Sequence, residues 1–184
     1  LRVISVKKID VLVSEVGPRD GLQSLSSVMP TEVKKAWIQG QFEAGTQEIE
    51  VGSFVSPKIL PQLADTPEIA KFAKSLRGLS VSALVPNLKG LSNAVDAGVD
   101  KVSIPFSISE THSLHNLRRS HQQMFDELRC CVDFLLTIPR HVRPNFEVGL
   151  STAFGCALEG SVSAKKVISI AESVIELGAD EVCL

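Results

Sequence analysis

Glu15-Val-Gly-Pro-Arg-Asp-Gly-Leu-Gln23 follows directly on an apolar run at residues 9–13. An apolar run closed by Gly-Pro reads as a buried strand ending in a turn. Arg19 and Asp20 therefore leave the carboxyl end of a first strand together. Loops at that end of the strands carry the chemistry of most α/β folds. An adjacent Arg-Asp pair offers a fixed cation for a developing oxyanion and a hard oxygen ligand for a divalent metal. The same dipeptide also occurs as an exposed ion pair in a turn, with no further task.

Three segments of the chain repeat one layout: Glu43-Ala-Gly45…Ile49, Asp96-Ala-Gly98…Val102 and Glu176-Leu-Gly178…Val182. Each reads as a helix stopped by Gly and a short turn into a strand. Residues 81–85 and 146–150 are further strand candidates. Helix starts are signalled by Thr66-Pro67, by Ser120 with Gln123 as a capping box, by Asn87 and by Ser163. Met124, Leu128, Cys131, Val132, Leu135 and Leu136 recur at helical spacing, as do Val167, Ile170, Ala171, Val174 and Ile175.

The pattern is βα throughout, with strands expected near residues 9, 47, 80, 101, 146 and 180. Such alternation calls for a parallel sheet with right-handed crossovers. No Gly-x-Gly-x-x-Gly loop follows the first strand, which argues against a dinucleotide-binding open sheet. The expected fold class is α/β, a (β/α)8 TIM-barrel type. A closed barrel of that kind takes roughly 200 to 250 residues. This chain has 184 residues, so it is expected to hold about six parallel strands of an incomplete barrel in one domain over 1–184. A small complete open sheet is the alternative.

Arg19, Asp20, Gln23, Glu50, Ser53, Asn87, Ser107, Ser109, Glu110, His112, Ser151, Thr152 and Cys156 all fall after or at the ends of expected strands. In a barrel these positions converge on one mouth. His112, His115, His121 and His141 lie among polar residues, without the spacing of a zinc site, and read as solvated, with reach to the mouth as the alternative for His112. Cys156 reads as a small buried thiol.

Composition narrows the partners. Net charge is −2, with no long basic run, which speaks against nucleic acid. No stretch approaches the roughly 20 apolar residues of a membrane helix. No secretory leader is legible in residues 1–8. The four cysteines form no Cys-x-x-Cys motif and read as free thiols in a reducing compartment, cytoplasmic or, if a leader has been removed, the mitochondrial matrix.

Four segments carry a resemblance: residues 15–23, Ile49-Glu-Val-Gly-Ser-Phe-Val-Ser-Pro-Lys58, Pro86-Asn-Leu-Lys-Gly90, and Leu150-Ser-Thr-Ala-Phe-Gly-Cys156 with Glu159-Gly160. Together they resemble the 3-hydroxy-3-methylglutaryl-CoA lyase family, part of the metal-dependent barrel lyases and Claisen-type synthases. The resemblance implies a retro-Claisen cleavage of an acyl-CoA to acetyl-CoA and a keto acid. It implies Arg19 and Glu50 as catalytic residues, with Glu50 supporting Arg19. It implies Arg19, Gln23 and Ser53 as substrate contacts and Asp20 as a ligand to Mg²⁺ or Mn²⁺. It further implies an acyl-CoA partner and a homo-oligomer for the complete protein. Ala157 stands where the lyases commonly have Pro. The remaining metal ligands and the mobile-loop Cys of the family are expected beyond Leu184, so these 184 residues alone are expected to be inactive. A condensing synthase of the same group, or a non-catalytic piece, are the alternatives.

Overall fold

A computed structural model describes residues 11–184. The expectations for residues 1–10, including the strand start at Ile9 and the leader reading, lie outside the described residues. Six strands form one parallel sheet in sequence order: β1 Ser14–Glu15, β2 Glu48–Ser53, β3 Ser80–Leu84, β4 Lys101–Ser107, β5 Asn145–Ser151 and β6 Glu181–Cys183. Between them run α1 Thr31–Glu43, α2 Thr66–Lys74, α3 Leu88–Ala97, α4 Glu110–Asn116, α5 His121–Leu136 and α6 Ala164–Leu177. Consecutive order in a parallel sheet, with a helix in every crossover, is the order of a (β/α) barrel.

The helix stops are where backbone chemistry puts them. Gly45, Gly98 and Gly178 hold φ of 99°, 77° and 121°. A side chain is strained in that region, and Gly is not. Gly178 also lies against Val132, so a Cβ there would strike α5. Asn87 caps α3 by accepting from Gly90 N at 2.9 Å. Ser120 and Gln123 make both bonds of the capping box.

Strand faces divide by parity. On β4, Val102, Ile104 and Phe106 are buried against the helices, while Lys101, Ser103 and Pro105 point the other way. On β5, Phe146, Val148 and Leu150 do the same, opposite Glu147, Gly149 and Ser151. Parallel strands buried on both faces usually read as continuous apolar runs. Here the inner face is polar and lines a hollow of about 340 Å³. At its amino-terminal end Lys101 Nζ reaches Glu48 at 2.8 Å, Glu147 at 3.4 Å and Glu181 at 3.7 Å. Burial lowers the Lys101 pKa, but the hydrogen bond that its ammonium donates to Glu48 and the field of the carboxylates outweigh it, and the net shift is upward. One cation thus ties β2, β4, β5 and β6 together.

Several expectations change. Among the described residues the first strand is Ser14–Glu15; Val11, Leu12 and Val13, from the expected apolar run, lie outside it and are exposed. Thr66 does not cap α2. It is the first helical residue, and its hydroxyl points inward, donating to Leu63 O at 2.7 Å and accepting from Ser53 N at 3.1 Å. Leu136 and Ile175 are exposed, because helical spacing marks a stripe but not where its edge falls. All four cysteines are free. No helix of the described residues is long and apolar enough to cross a membrane.

Lys34 is among the most deeply buried large side chains. Its Nζ donates to Gln62 O at 2.6 Å and Asp65 Oδ1 at 2.6 Å, while Asp65 Oδ2 accepts from Thr31 Oγ1 at 2.8 Å. The pair holds the loop after β2 against α1. Lys34→Met leaves Asp65 without its cation and is expected to cost about 3 kcal/mol. Urea denaturation checks this, and a cost under about 1 kcal/mol contradicts it.

Candidate active site

The turn after β1 folds because Val16 O accepts from Arg19 N at 3.1 Å and from Asp20 N at 2.7 Å. Gly17 gives its N–H to Glu15 Oε1 at 2.6 Å and leaves no room for a Cβ beside the Trp37 ring. Leu22, buried, pins the far side of the turn. The turn throws Arg19 inward over β2, where Glu50 lies within the strand and not at its end as the sequence suggests. Arg19 Nε donates to Glu50 Oε2 at 2.7 Å, and its NH1 donates to Asp20 Oδ1 at 2.9 Å. Gln23 Nε2 donates to the same Asp20 oxygen at 2.9 Å.

These four residues differ sharply in setting. The side chain of Glu50 is 8% exposed and that of Arg19 18%, whereas that of Asp20 is 58% exposed. Burial pushes the Glu50 carboxyl above its ordinary value, against the pull of Arg19. Glu50 therefore orients the guanidinium from below, and Asp20 sits above it at the open mouth. Asp20 Oδ2 accepts no hydrogen bond among the described residues. That free, exposed carboxylate oxygen suits a hard divalent cation. The described residues hold no group of three His, Cys, Asp or Glu able to bind one.

Ser53 closes β2 on the same rim but lies on a different hollow. Its Oγ accepts from Val55 N at 3.2 Å, and its backbone is held by Thr66. Gly52 packs so closely on Thr66 that no Cβ fits. The hollow beside Ser53, about 260 Å³, is walled by Phe54, Pro86, Asn87, Lys89 and Asn93. The structure thus gathers Arg19, Asp20, Gln23 and Glu50 in one contact network and places Ser53 beside a neighbouring cavity.

The rim of β4 and β5 forms a second network. His112 Nδ1 lies 2.8 Å from Ser107 Oγ, and a ring nitrogen of His121 lies 2.8 Å from Ser107 O. Neither imidazole is the solvated side chain that the polar run around it suggests. His115 and His141 are exposed, as expected. Thr152 adopts φ 64°, a costly conformation for a β-branched residue. Its Oγ1 accepts from Ser109 N at 3.0 Å. Cys156 is buried beside Ser109 Oγ at 3.2 Å, a contact that lowers its pKa. Glu159 accepts from Thr111 N at 2.7 Å; the Thr111 contacts, together with Ser109, draw its pKa down to about 2. Nothing in the local spacing of Ser107, His112 and His121 marks this cluster. It exists because α4 folds back over the end of β4.

Residues 10–184 match the HMGL-like family model, and the chain belongs to that family. It is 38% identical over 174 residues to the mitochondrial hydroxymethylglutaryl-CoA lyase of Rattus norvegicus, covering 95% of this chain and 52% of the relative. The crystal structure of the Bacillus subtilis HMG-CoA lyase superposes with a TM-score of 0.86 at 35% identity, over 94% of this chain and 56% of that one. An HMG-CoA lyase from Acinetobacter baumannii, solved with coenzyme A and 3-methylmalate, superposes with a TM-score of 0.83 at 35% identity, over 93% and 54%. The chain spans about half the length of these relatives.

The raised Glu50 pKa has a stability consequence. A group whose folded pKa is raised contributes stability below its unfolded value and loses it as pH rises through the folded value. Glu50→Gln, neutral throughout, is expected to remove that part of the pH slope from the carboxylate range upward. Urea midpoints of both proteins between pH 4 and 7 check it; parallel pH profiles contradict it.

Proposed function

We propose that the protein carrying these residues is a divalent-metal-dependent carbon–carbon lyase. It would cleave a 3-hydroxy-3-methyl acyl-CoA of the hydroxymethylglutaryl type to acetyl-CoA and a keto acid. The observation that carries this reading is the Arg19 guanidinium, oriented by buried Glu50 and set against the exposed Asp20 carboxylate at the mouth of the sheet. The relatives named as hydroxymethylglutaryl-CoA lyases, one of them solved with coenzyme A, support it.

The reaction has two difficult charges. One is negative charge on the thioester oxygen as acetyl-CoA leaves as its enolate. The other is the ionised tertiary alcohol. Arg19 answers the first: a preorganised planar cation needs no reorientation as the charge develops. Glu50 fixes the direction of that cation through Nε and leaves part of the guanidinium for the ligand. Asp20, whose Oδ1 is held by Gln23 and whose Oδ2 is free, would be the residue of this stretch to hold Mg²⁺ or Mn²⁺. When bound, the ion supplies the Lewis acidity that lowers the cost of ionising the alcohol. Ser53 contacts the substrate where its rim meets the neighbouring hollow. Lys89 on that hollow gives the CoA moiety, an anion, a cation to lie against.

In the full-length protein, Arg19→Ala is expected to lower kcat about 10²–10³-fold with little change in Mn²⁺ affinity. Asp20→Asn is expected to weaken Mn²⁺ binding first. Steady-state turnover of hydroxymethylglutaryl-CoA and Mn²⁺ titration by electron paramagnetic resonance separate the two roles. Equal loss of metal affinity in both variants refutes the division, and a wild-type protein inert toward this substrate with either metal refutes the reading.

A further inference from the structure

Two imidazoles meet on one serine at the end of β4. Ser107 is 1% exposed, so both of its polar groups need partners within the protein. Its carbonyl can only accept, so the His121 ring contributes an N–H to it at 2.8 Å. His121 is further held by its tilted contact with Phe106, ring centroids 5.2 Å apart, and by Glu110, which accepts its backbone N–H at 3.2 Å. It is a structural strut.

His112 differs. Its backbone N–H is capped by Ser109 Oγ at 3.0 Å, and its Nδ1 is paired with Ser107 Oγ at 2.8 Å. Its Nε2 has no hydrogen-bond partner among the described residues. One ring nitrogen fixed by a buried hydroxyl and the other left open is how a protein presents an imidazole to something else. Satisfying Ser107 accounts for Nδ1. It does not account for where the ring is put.

That place follows from strand parity. Ser103 and Pro105 line the hollow that also holds Arg19, Glu50 and Ser151. Side chains alternate along a strand, so Ser107 lies on the same face, one pleat nearer the mouth. Its register partner on β5 is Ser151, which itself lines the hollow. By this parity the Ser107 hydroxyl belongs to the inner face of the sheet, next to Ser151, and the His112 ring that it holds sits at the β4 edge of that face.

We propose that His112 is a substrate-contacting residue of this site, hydrogen-bonding through Nε2 to a polar oxygen of the acyl portion of an acyl-CoA, and that Ser107 is the residue that positions it. The class of ligand rests on the functional reading above; the presented imidazole does not. The contact is to the acyl portion because the CoA hollow opens at the exits of β2 and β3, while His112 belongs to the exit of β4.

The test compares binding of hydroxymethylglutaryl-CoA and of coenzyme A to the full-length protein by calorimetry, with EDTA present so that no turnover intervenes. His112→Ala is expected to weaken acyl-CoA binding about tenfold, the worth of one good hydrogen bond, and to leave coenzyme A binding unchanged. His112→Gln, which returns a polar group near Nε2, recovers part of the loss. Ser107→Ala loses less than His112→Ala and in the same direction. An unchanged ratio of the two affinities in His112→Ala, an equal loss for both ligands, or a wild type that does not distinguish them overturns the proposal. Failure of the functional reading shows separately, as a wild type that binds the acyl-CoA but does not cleave it once Mg²⁺ or Mn²⁺ is restored.

Discussion

A carboxylate buried in the middle of a strand is a liability unless a cation meets it. Glu50 sits in β2, a strand buried along its whole length, and Arg19 is the cation. That single pairing constrains much else. It requires the chain after β1 to turn at once, which the Gly17–Gly21 turn does. It requires the turn to approach β2 closely, which Gly17 permits beside Trp37. It leaves Asp20, next in sequence, on the outside of the same turn. The desolvation of Glu50 is thus met in part by a group that is then held rigidly where a ligand can meet it.

The same logic extends down the inner face of the sheet. Below Glu50, Glu48 and Glu147 share Lys101, with Glu181 at the margin. The inner face is organised by charge pairing, while the outer face is organised by apolar packing against the helices. Packing on one face frees the other to carry polar side chains that would otherwise have no place in a parallel sheet. The rim residues then inherit a rigid floor.

Rigidity at the rim comes from loops tied to one another. Lys34 and Asp65 fix the loop after β2, and Thr66 holds Ser53. Thr152 and Glu159 join the loop after β5 to α4. The left-handed Thr152 marks the point where this second tie strains the backbone. Sites are more exact when the groups that present them are themselves held.

Periodicity and turn chemistry alone determined the βα alternation, the Gly stops at Gly45, Gly98 and Gly178, and the caps at Asn87 and Ser120. These are local effects, set by backbone sterics and bonds spanning three or four residues, so a linear string records them. The position of Arg19 and Asp20 at a strand exit was legible for the same reason, although Val11, Leu12 and Val13 of the apolar run lie outside β1. What the linear string does not record is pairing between residues far apart in it. Arg19 meets Glu50 across 31 positions, Lys34 meets Asp65 across 31, and Ser53 meets Thr66 across 13. Thr66 reads as a cap from its neighbours and becomes a buried strut because β2 claims its hydroxyl. His112 reads as solvated from its polar surroundings, yet the fold-back of α4 sets it on Ser107. Each of these outcomes is decided by which groups lose water together, and that depends on the packed sheet and not on the order of residues.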